Sequence, residues 1–316
     1  MFVHRRMADF FSEGIDLMHY IVFDLEWNIA GRANRVSAED LKALPFEIIE
    51  IGAVKLDESF NMISKFNVTV KPKLYPILSG HVAAVTRRIQ QSLKFGISFV
   101  DAARDFLKWC GDDFMFCTWS ESDTGVLKQN LAYYGFPDKL NALCLDVQYL
   151  FDQVIEKAGI QRSVEYALDF LSIDKSRPFH QAVQDAWYTG DILRAIVDLI
   201  NNDATADGSK INIVDYAYDP DLNRSYQQTL EVQESVAHLL QHLLSVKLVC
   251  PACGKELERV DDWSRKGNRM NAPFVCPEHG SVSGRTKMRI RPREAKENVS
   301  AYLTVKLDRN KPLIEA

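Results

Sequence analysis

The run YIVFDLE, residues 20–26, constrains this chain more than any other segment. Ile21, Val22 and Phe23 leave neither side polar, so they predict a strand buried on both faces. Asp24 and Glu26 then interrupt the apolar run two residues apart. With a period of two, both carboxylates face the same way. Solvated acids on an edge strand are the alternative, and the run is too apolar for an edge. A charge in such surroundings is costly unless it is compensated. Two hard oxygen ligands on one rigid face suit Mg2+ or Mn2+, and a cation held there is the simplest compensation.

The same problem recurs at Asp123 in TWSESDTGVL, and at His180 and Asp185 in HQAVQDA. Asp123 falls at the first turn of a predicted helix, where Ser122 or Asp123 would also serve as the cap. Pro178 fixes the entry to a later helix, so His180 sits in the loop or first turn and Asp185 inside. Taken singly, these are a cap, a structural histidine and a surface acid. Their order along the chain gives them weight.

Strand signals lie at 20–26, 48–56, 63–70, 114–119 and 143–146, and helical spacing at about 98–110, 122–135, 147–157, 163–171 and 182–200. Three strands come first and helices then alternate with the last two, which predicts a mixed α/β sheet flanked by helices. Residues 1–17 read as a loose extension, 18–200 as one domain, 201–247 as a polar linker with a connecting helix, and 248–316 as a small basic module. The chain of 316 residues, 47% apolar and 26% charged, is ordinary for a soluble protein with room for both units. No apolar run is long enough to span a bilayer, and the first residues do not resemble a secretory signal. A cytoplasmic location without membrane attachment is the default expectation.

Together FDLEW, EIIEIGAV, VTRRIQQ, TWSESDTGVLKQN and FHQAVQDAWYTGDIL resemble the DEDDh group of 3′–5′ exonucleases, the superfamily of RNase T and the DNA polymerase III proofreading subunit. The resemblance covers residues 20–200. It implies an RNase H-like five-stranded sheet of order 3-2-1-4-5 with strand 2 antiparallel. It also implies that Asp24, Glu26, Asp123 and Asp185 hold two Mg2+ or Mn2+ ions. Two such cations, roughly 3.5–4 Å apart, activate a water and stabilise the leaving oxygen of a phosphodiester. His180 is then the general base. Without cations, the four carboxylates repel one another. Two departures stand out. Trp27 and Asn28 follow the Asp-x-Glu where a small residue or Thr is usual; Trp27 suits either stacking on a terminal base or the core. The Leu-Thr-Gly-Ile segment that lines the family's 3′-nucleotide pocket becomes Val85-Thr86-Arg87-Arg88, without its glycine. Arg87 and Arg88 read either as phosphate contacts or as solvated surface, and Glu47 and Glu50 are given no role.

The six cysteines fall into two groups. Cys110, Cys117 and Cys144 are single and in apolar surroundings, as buried reduced thiols are. Cys250-x2-Cys253 and Cys276-x2-His279, with 22 residues between the pairs, match tetrahedral structural Zn2+. The glycine after each pair permits a tight turn. The pattern resembles a zinc ribbon.

The net charge of −5 conceals a division. Residues 264–296 carry nine Lys/Arg against two Asp/Glu, so this segment is +7 and the remainder −12. Arg285, Lys287, Arg289, Arg291 and Arg293 alternate. On a strand they face one way, about 6.6 Å apart, a spacing that suits successive phosphates of a single strand. An edge strand guarded by charge is the competing reading, and Pro292 fits it.

The expected function is metal-dependent removal of nucleotides from 3′ ends of single-stranded RNA or DNA, with one structural Zn2+ in the C-terminal module. The alternatives are a regulatory or adaptor protein of nuclease fold acting through protein partners, and a nucleic-acid-binding protein without catalysis. Nothing in the sequence names a protein partner.

Overall fold

A computed structural model describes residues 19–31, 34, 36–86, 90–202, 211–293 and 296–308. The expected extension 1–17, like Arg87 and Arg88, lies outside the described residues. The chain divides into two units, Met1–Asp221 and Leu222–Ala316.

The first unit is built on β1 (His19–Ile29), β2 (Phe46–Leu56), β3 (Met62–Thr69), β4 (Phe114–Thr118), β5 (Cys144–Asp146) and β6 (Ala217–Tyr218), in the spatial order β3-β2-β1-β4-β5-β6. β2 runs antiparallel to β1 and β3, while β4 is parallel to β1 and β5. The sheet is therefore mixed and RNase H-like. It has six strands where five were expected. The sixth is two residues long, antiparallel to β5, and comes from the stretch read above as linker. Asp221 secures this return, accepting from the Leu140 and Asn141 amides and pairing with Lys128 at 2.8 Å.

Helices cover both faces, as the apolar strands require. Three short ones come early: α1 (Ala38–Ala43), α2 (Gly80–Thr86) and α3 (Gln90–Lys94). α4 (Phe99–Cys110) and α5 (Glu121–Tyr133) bury Phe106, Leu127 and Leu131 against Ile21, Phe23 and Phe116. α6 (Val147–Leu150), which continues into a π-helical turn, α7 (Val164–Phe170) and α8 (Ala182–Asn202) cover the other face. There Tyr188, Ile192 and Ile196 meet Tyr20, Val22, Val54 and Leu56. Odd residues of β1 thus face α4 and α5, and even residues face α8. Cys110, Cys117 and Cys144 are free and buried, and burial pushes all three thiols up.

The second unit is an antiparallel sheet, β7 (Ser225–Thr229), β12 (Lys296–Leu307), β11 (Gly280–Arg293), β10 (Arg269–Cys276) and β8 (Glu258–Arg259) in that order, with β9 (Ser264–Lys266) also on β10. Its core joins Leu239 and Leu243 of α9 (Val236–Ser245) to Met270, Phe274, Val282, Val299, Leu303 and Val305. That core exceeds what the cysteine-bearing stretch alone offers, because β7 and α9 contribute to it. β11, the basic strand, lies between β10 and β12. The edge-strand reading therefore fails for Arg285 and Lys287, which have a strand on each side. Past Met288, β11 outruns β10 and pairs with β12 alone, which is where Pro292 can sit without a missing ladder bond. No helix among the described residues is long and apolar enough to cross a membrane.

Candidate active site

The even-numbered face of β1 runs Tyr20, Val22, Asp24, Glu26. The first two lie under α8, and the acids continue the same face to the helix's N-terminus. Their partners on β2 are Leu56, Val54, Gly52 and Glu50 in register. Gly52 is the residue that lets the helix arrive. A Cβ there would lie 2.0 Å from the Val183 nitrogen and 2.2 Å from the Ala182 carbonyl carbon, far inside contact distance. The backbone of α8 therefore rests on the strand directly opposite Asp24 and brings Asp185 to it. Carboxylate oxygens of Asp24, Glu26 and Asp185 all fall within 4.8 Å of one another.

Asp123 approaches from the neighbouring strand. β1 pairs with β4 only from His19 to Val22, which leaves later amides on that side without a ladder partner. Asp123, in the first turn of α5, accepts the Leu25 N–H at 3.0 Å, and Ser122 Oγ donates to its other oxygen at 3.3 Å. It is buried but is not the helix cap; Ser120 is, accepting from Ser122 N. Asp123 does not fall within the close trio, yet its charge acts on Asp24.

His180 precedes α8 in an exposed turn, with a left-handed backbone of φ 63°. Its own N–H donates to Asp185 Oδ2 at 2.9 Å, so the candidate base and a candidate ligand are joined through the backbone. The segment before it is held by α8. Tyr188 Oη accepts from Arg177 N and donates to Arg177 O, each at 2.7 Å, and its ring stacks on Phe179 at 4.9 Å. The Arg177 guanidinium pairs with Asp191 at 2.8 Å and lies 4.3 Å from the Trp187 ring.

The electrostatics are those of crowded acids. Burial, followed by the charges of Asp123, Asp185, Glu26 and Glu50, pushes the Asp24 carboxyl well above its usual 3.8. Burial pushes Asp123 up to about 6 against the pull of the Leu25 amide. Asp185 is likewise pushed up to about 6 by burial, opposed by the His180 amide. Buried carboxylates crowded in this way favour a counter-charge, which a bound cation would supply. The hard oxygen donors, carried on a strand and a helix, fit a divalent cation of the Mg2+ or Mn2+ class.

Glu50, overlooked in the sequence, belongs to this face. It is buried opposite Glu26, and its Oε2 accepts Ala182 N at 3.3 Å, anchoring the first turn of α8. What places it is its register opposite Glu26, a pairing that its own stretch of sequence does not show. Glu47 has a different task. It accepts the amides of Lys73, Leu74 and Tyr75 and the Tyr134 hydroxyl. Fully buried Asn28 serves the same loop, donating to the carbonyls of Tyr75 and Ile77 and accepting from Ser79 N. Trp27 is half-buried beside Phe46, on the α4 and α5 face. Thr86 is buried, and its hydroxyl donates back to the Val82 carbonyl at 2.9 Å. Asp146 caps α6 through Tyr149 N.

In the second unit Cys250, Cys253, Cys276 and His279 converge. Cys253 Sγ lies 3.7 Å from Cys276 Sγ, and His279 Nδ1 lies 3.7 and 3.6 Å from the Cys250 and Cys276 sulfurs. Bonds of about 2.3 Å to sulfur and about 2.0–2.1 Å to nitrogen give a tetrahedron with edges of about this length. The set therefore fits Zn2+ with no position left open. Gly254 and Gly280 follow the two pairs with φ of 72° each, the left-handed turns that wrap the site.

Residues 21–193 match the RNase_T family, described as exonuclease. No curated protein matches the chain. Among solved structures the chain is similar to the nuclease domain of 3′hExo, a DEDDh family member bound to rAMP, at 15% identity and TM-score 0.50, over 61% of this chain and 94% of that one. It is also similar to cell-death related nuclease 4 (17% identity, TM-score 0.49, 57% and 64% of the two chains). A third is E. coli exonuclease I with a dA16 oligonucleotide (12%, TM-score 0.47, 81% and 55%). The chain thus spans under two thirds of the last two. The likeness to 3′hExo is one of fold.

Proposed function

This chain belongs to the RNase_T exonuclease family, and from that premise we propose that it removes nucleotides from the 3′ ends of single-stranded RNA or DNA by metal-dependent hydrolysis. The observation that carries the reading is the convergence of Asp24, Glu26 and Asp185 within 4.8 Å, with Asp123 bonded to the intervening Leu25 amide. These four residues are assigned to the cations. Bound there, two divalent ions would polarise the scissile phosphate and stabilise the leaving oxygen.

The chain's own residues do the rest. Asp24 and Glu26 are fixed by a strand buried on both sides, so their oxygens need little reorganisation. Asp185 is oriented by the His180 amide, and α8 by Glu50. His180 is assigned as the base: its exposed imidazole takes a proton from the attacking water. The Arg177–Tyr188–Phe179 contacts fix the segment that presents it. The Cys3His cluster is assigned to a structural Zn2+.

The test is a single strand labelled at its 5′ end, incubated with and without Mg2+ or Mn2+. Stepwise shortening from the 3′ end, only with cation, is the expected result. His180→Ala lowers turnover by about 10²–10⁴-fold and leaves cation binding, whereas Asp24→Ala removes both. An active Asp24→Ala protein overturns the assignment. Binding without shortening favours a non-catalytic role.

A further inference from the structure

We propose that the outward face of the C-terminal sheet is a platform for single-stranded nucleic acid, with phosphates along β11 and a base on Tyr302. The platform goes beyond hydrolysis and needs no part of the carboxylate site.

The argument begins with alternation. On β11, Val282, Gly284, Thr286 and Met288 are buried, while Arg285, Lys287, Arg289 and Arg291 are exposed. Four cations therefore stand in line on one face, about 6.6–6.8 Å apart. Neighbouring strands extend the charge sideways. Lys287 pairs with Arg269 on β10, and Arg269 with Lys266 on β9. On its other side Lys287 pairs with Tyr302 of β12, a residue 37% exposed. Beyond Arg285, Arg289 and Arg291 the partners on β12 are Thr304, Ser300 and Asn298, all neutral hydrogen-bonding residues.

Two ordinary explanations fail. Charge that guards a sheet edge belongs on an edge strand, and Arg285 and Lys287 lie where β11 is paired on both sides, so edge protection does not account for them. A plain solvated face mixes both signs. Here, among the described residues, the unit's ion pairs, Lys247–Glu256, Lys255–Glu278 and Arg259–Asp262, involve none of these cations. A line of like charge on one face of a sheet, with one partly exposed aromatic residue beside it, matches a strand with regular phosphates and free bases. A duplex offers no unstacked base to Tyr302. An acidic protein segment would use the charge and leave the ring idle.

The experiment is fluorescence anisotropy of a short labelled oligouridylate with the full chain, without added divalent cation or chelator, so that zinc stays. Each phosphate contact to a single strand contributes a salt slope of about −0.7. Between about 50 and about 200 mM salt, four contacts then weaken binding roughly 50-fold, and one contact roughly threefold. The triple variant Arg285→Ser, Lys287→Ser, Arg289→Ser is expected to show that flattening. Tyr302→Ala is expected to weaken binding roughly 5- to 150-fold, with Tyr302→Phe restoring it. Zinc content and thermal midpoint, unchanged in every variant, establish that the unit is folded. Two results overturn the proposal: wild-type affinity and salt slope in the triple variant, or polyglutamate bound as tightly as oligouridylate with no effect of Tyr302→Ala. The second outcome would assign the face to an acidic protein partner. Dinucleotide hydrolysis, measured in parallel, reads the carboxylate site separately, so either proposal can fail alone.

Discussion

Asp24→Asn should stabilise the protein when no divalent cation is present. The substitution keeps the shape of the side chain and removes one charge from a cluster whose oxygens lie within 4.8 Å. At an effective dielectric of about 20, each carboxylate pair at that distance repels by about 3.5 kcal/mol. Proton uptake relieves part of this, so the expected gain at pH 8 is about 2–4 kcal/mol. At about 2–4 °C per kcal/mol for a unit of this size, the midpoint rises by roughly 5–15 °C. The pH dependence fixes the sign. The folded Asp24 carboxyl titrates well above its usual 3.8. The folded protein therefore binds more protons than the unfolded one between those limits, and wild-type stability falls as pH rises through that window. The asparagine variant lacks the part of this slope that Asp24 supplies and keeps the parts from Asp123 and Asp185. Its advantage should vanish near pH 4 and grow upward. Thermal unfolding from pH 4 to 8 reads the effect directly. Saturating Mn2+ should reverse the order, since only the wild type gains from binding, by about 2.7 kcal/mol for each of the two ions at a hundredfold excess over Kd. An asparagine variant that is less stable than wild type in cation-free buffer at pH 8 refutes the reasoning.

Gly52→Ala should cost about 1–3 kcal/mol or more, because α8 must lift from the strand, and Mn2+ affinity should fall with it; unchanged affinity would mean the close approach does not build the site. Tyr188→Phe removes both hydroxyl bonds to Arg177. It should lower kcat while leaving Mn2+ affinity intact, a split visible by pairing steady-state rates with titration calorimetry. Cys276→Ser should release zinc and lower the midpoint of the second unit, read by metal analysis and by melting. Retention of one zinc per chain would contradict the four-ligand set.

The first unit was largely legible because its signals are local. β1 to β5 are apolar runs bounded by turn residues, and α4, α5 and α8 carry helical spacing long enough to read. The candidate site was legible through the ordered set of acids. What escaped was non-local or short. The constraint on Gly52 comes from Val183, a contact made only in three dimensions. Glu50 looked like any strand acid until β2 was placed in register with Glu26. β6 has two residues, too few for alternation to register. The basic strand shows a different limit. Its alternation revealed which side chains share a face, but a strand's own pattern does not encode its position in the sheet: β11 is central as far as Lys287 and an edge beyond Met288, where Pro292 lies.

The central claim is that side chains from β1, α5 and α8 form one pocket for two divalent cations. Titrating Mn2+ into the protein with a nucleoside 5′-monophosphate present tests it most directly. The account predicts two ions bound per chain beyond the zinc, both lost or severely weakened in Asp24→Asn. No Mn2+ binding, or a stoichiometry and affinity that Asp24→Asn leaves untouched, would contradict it.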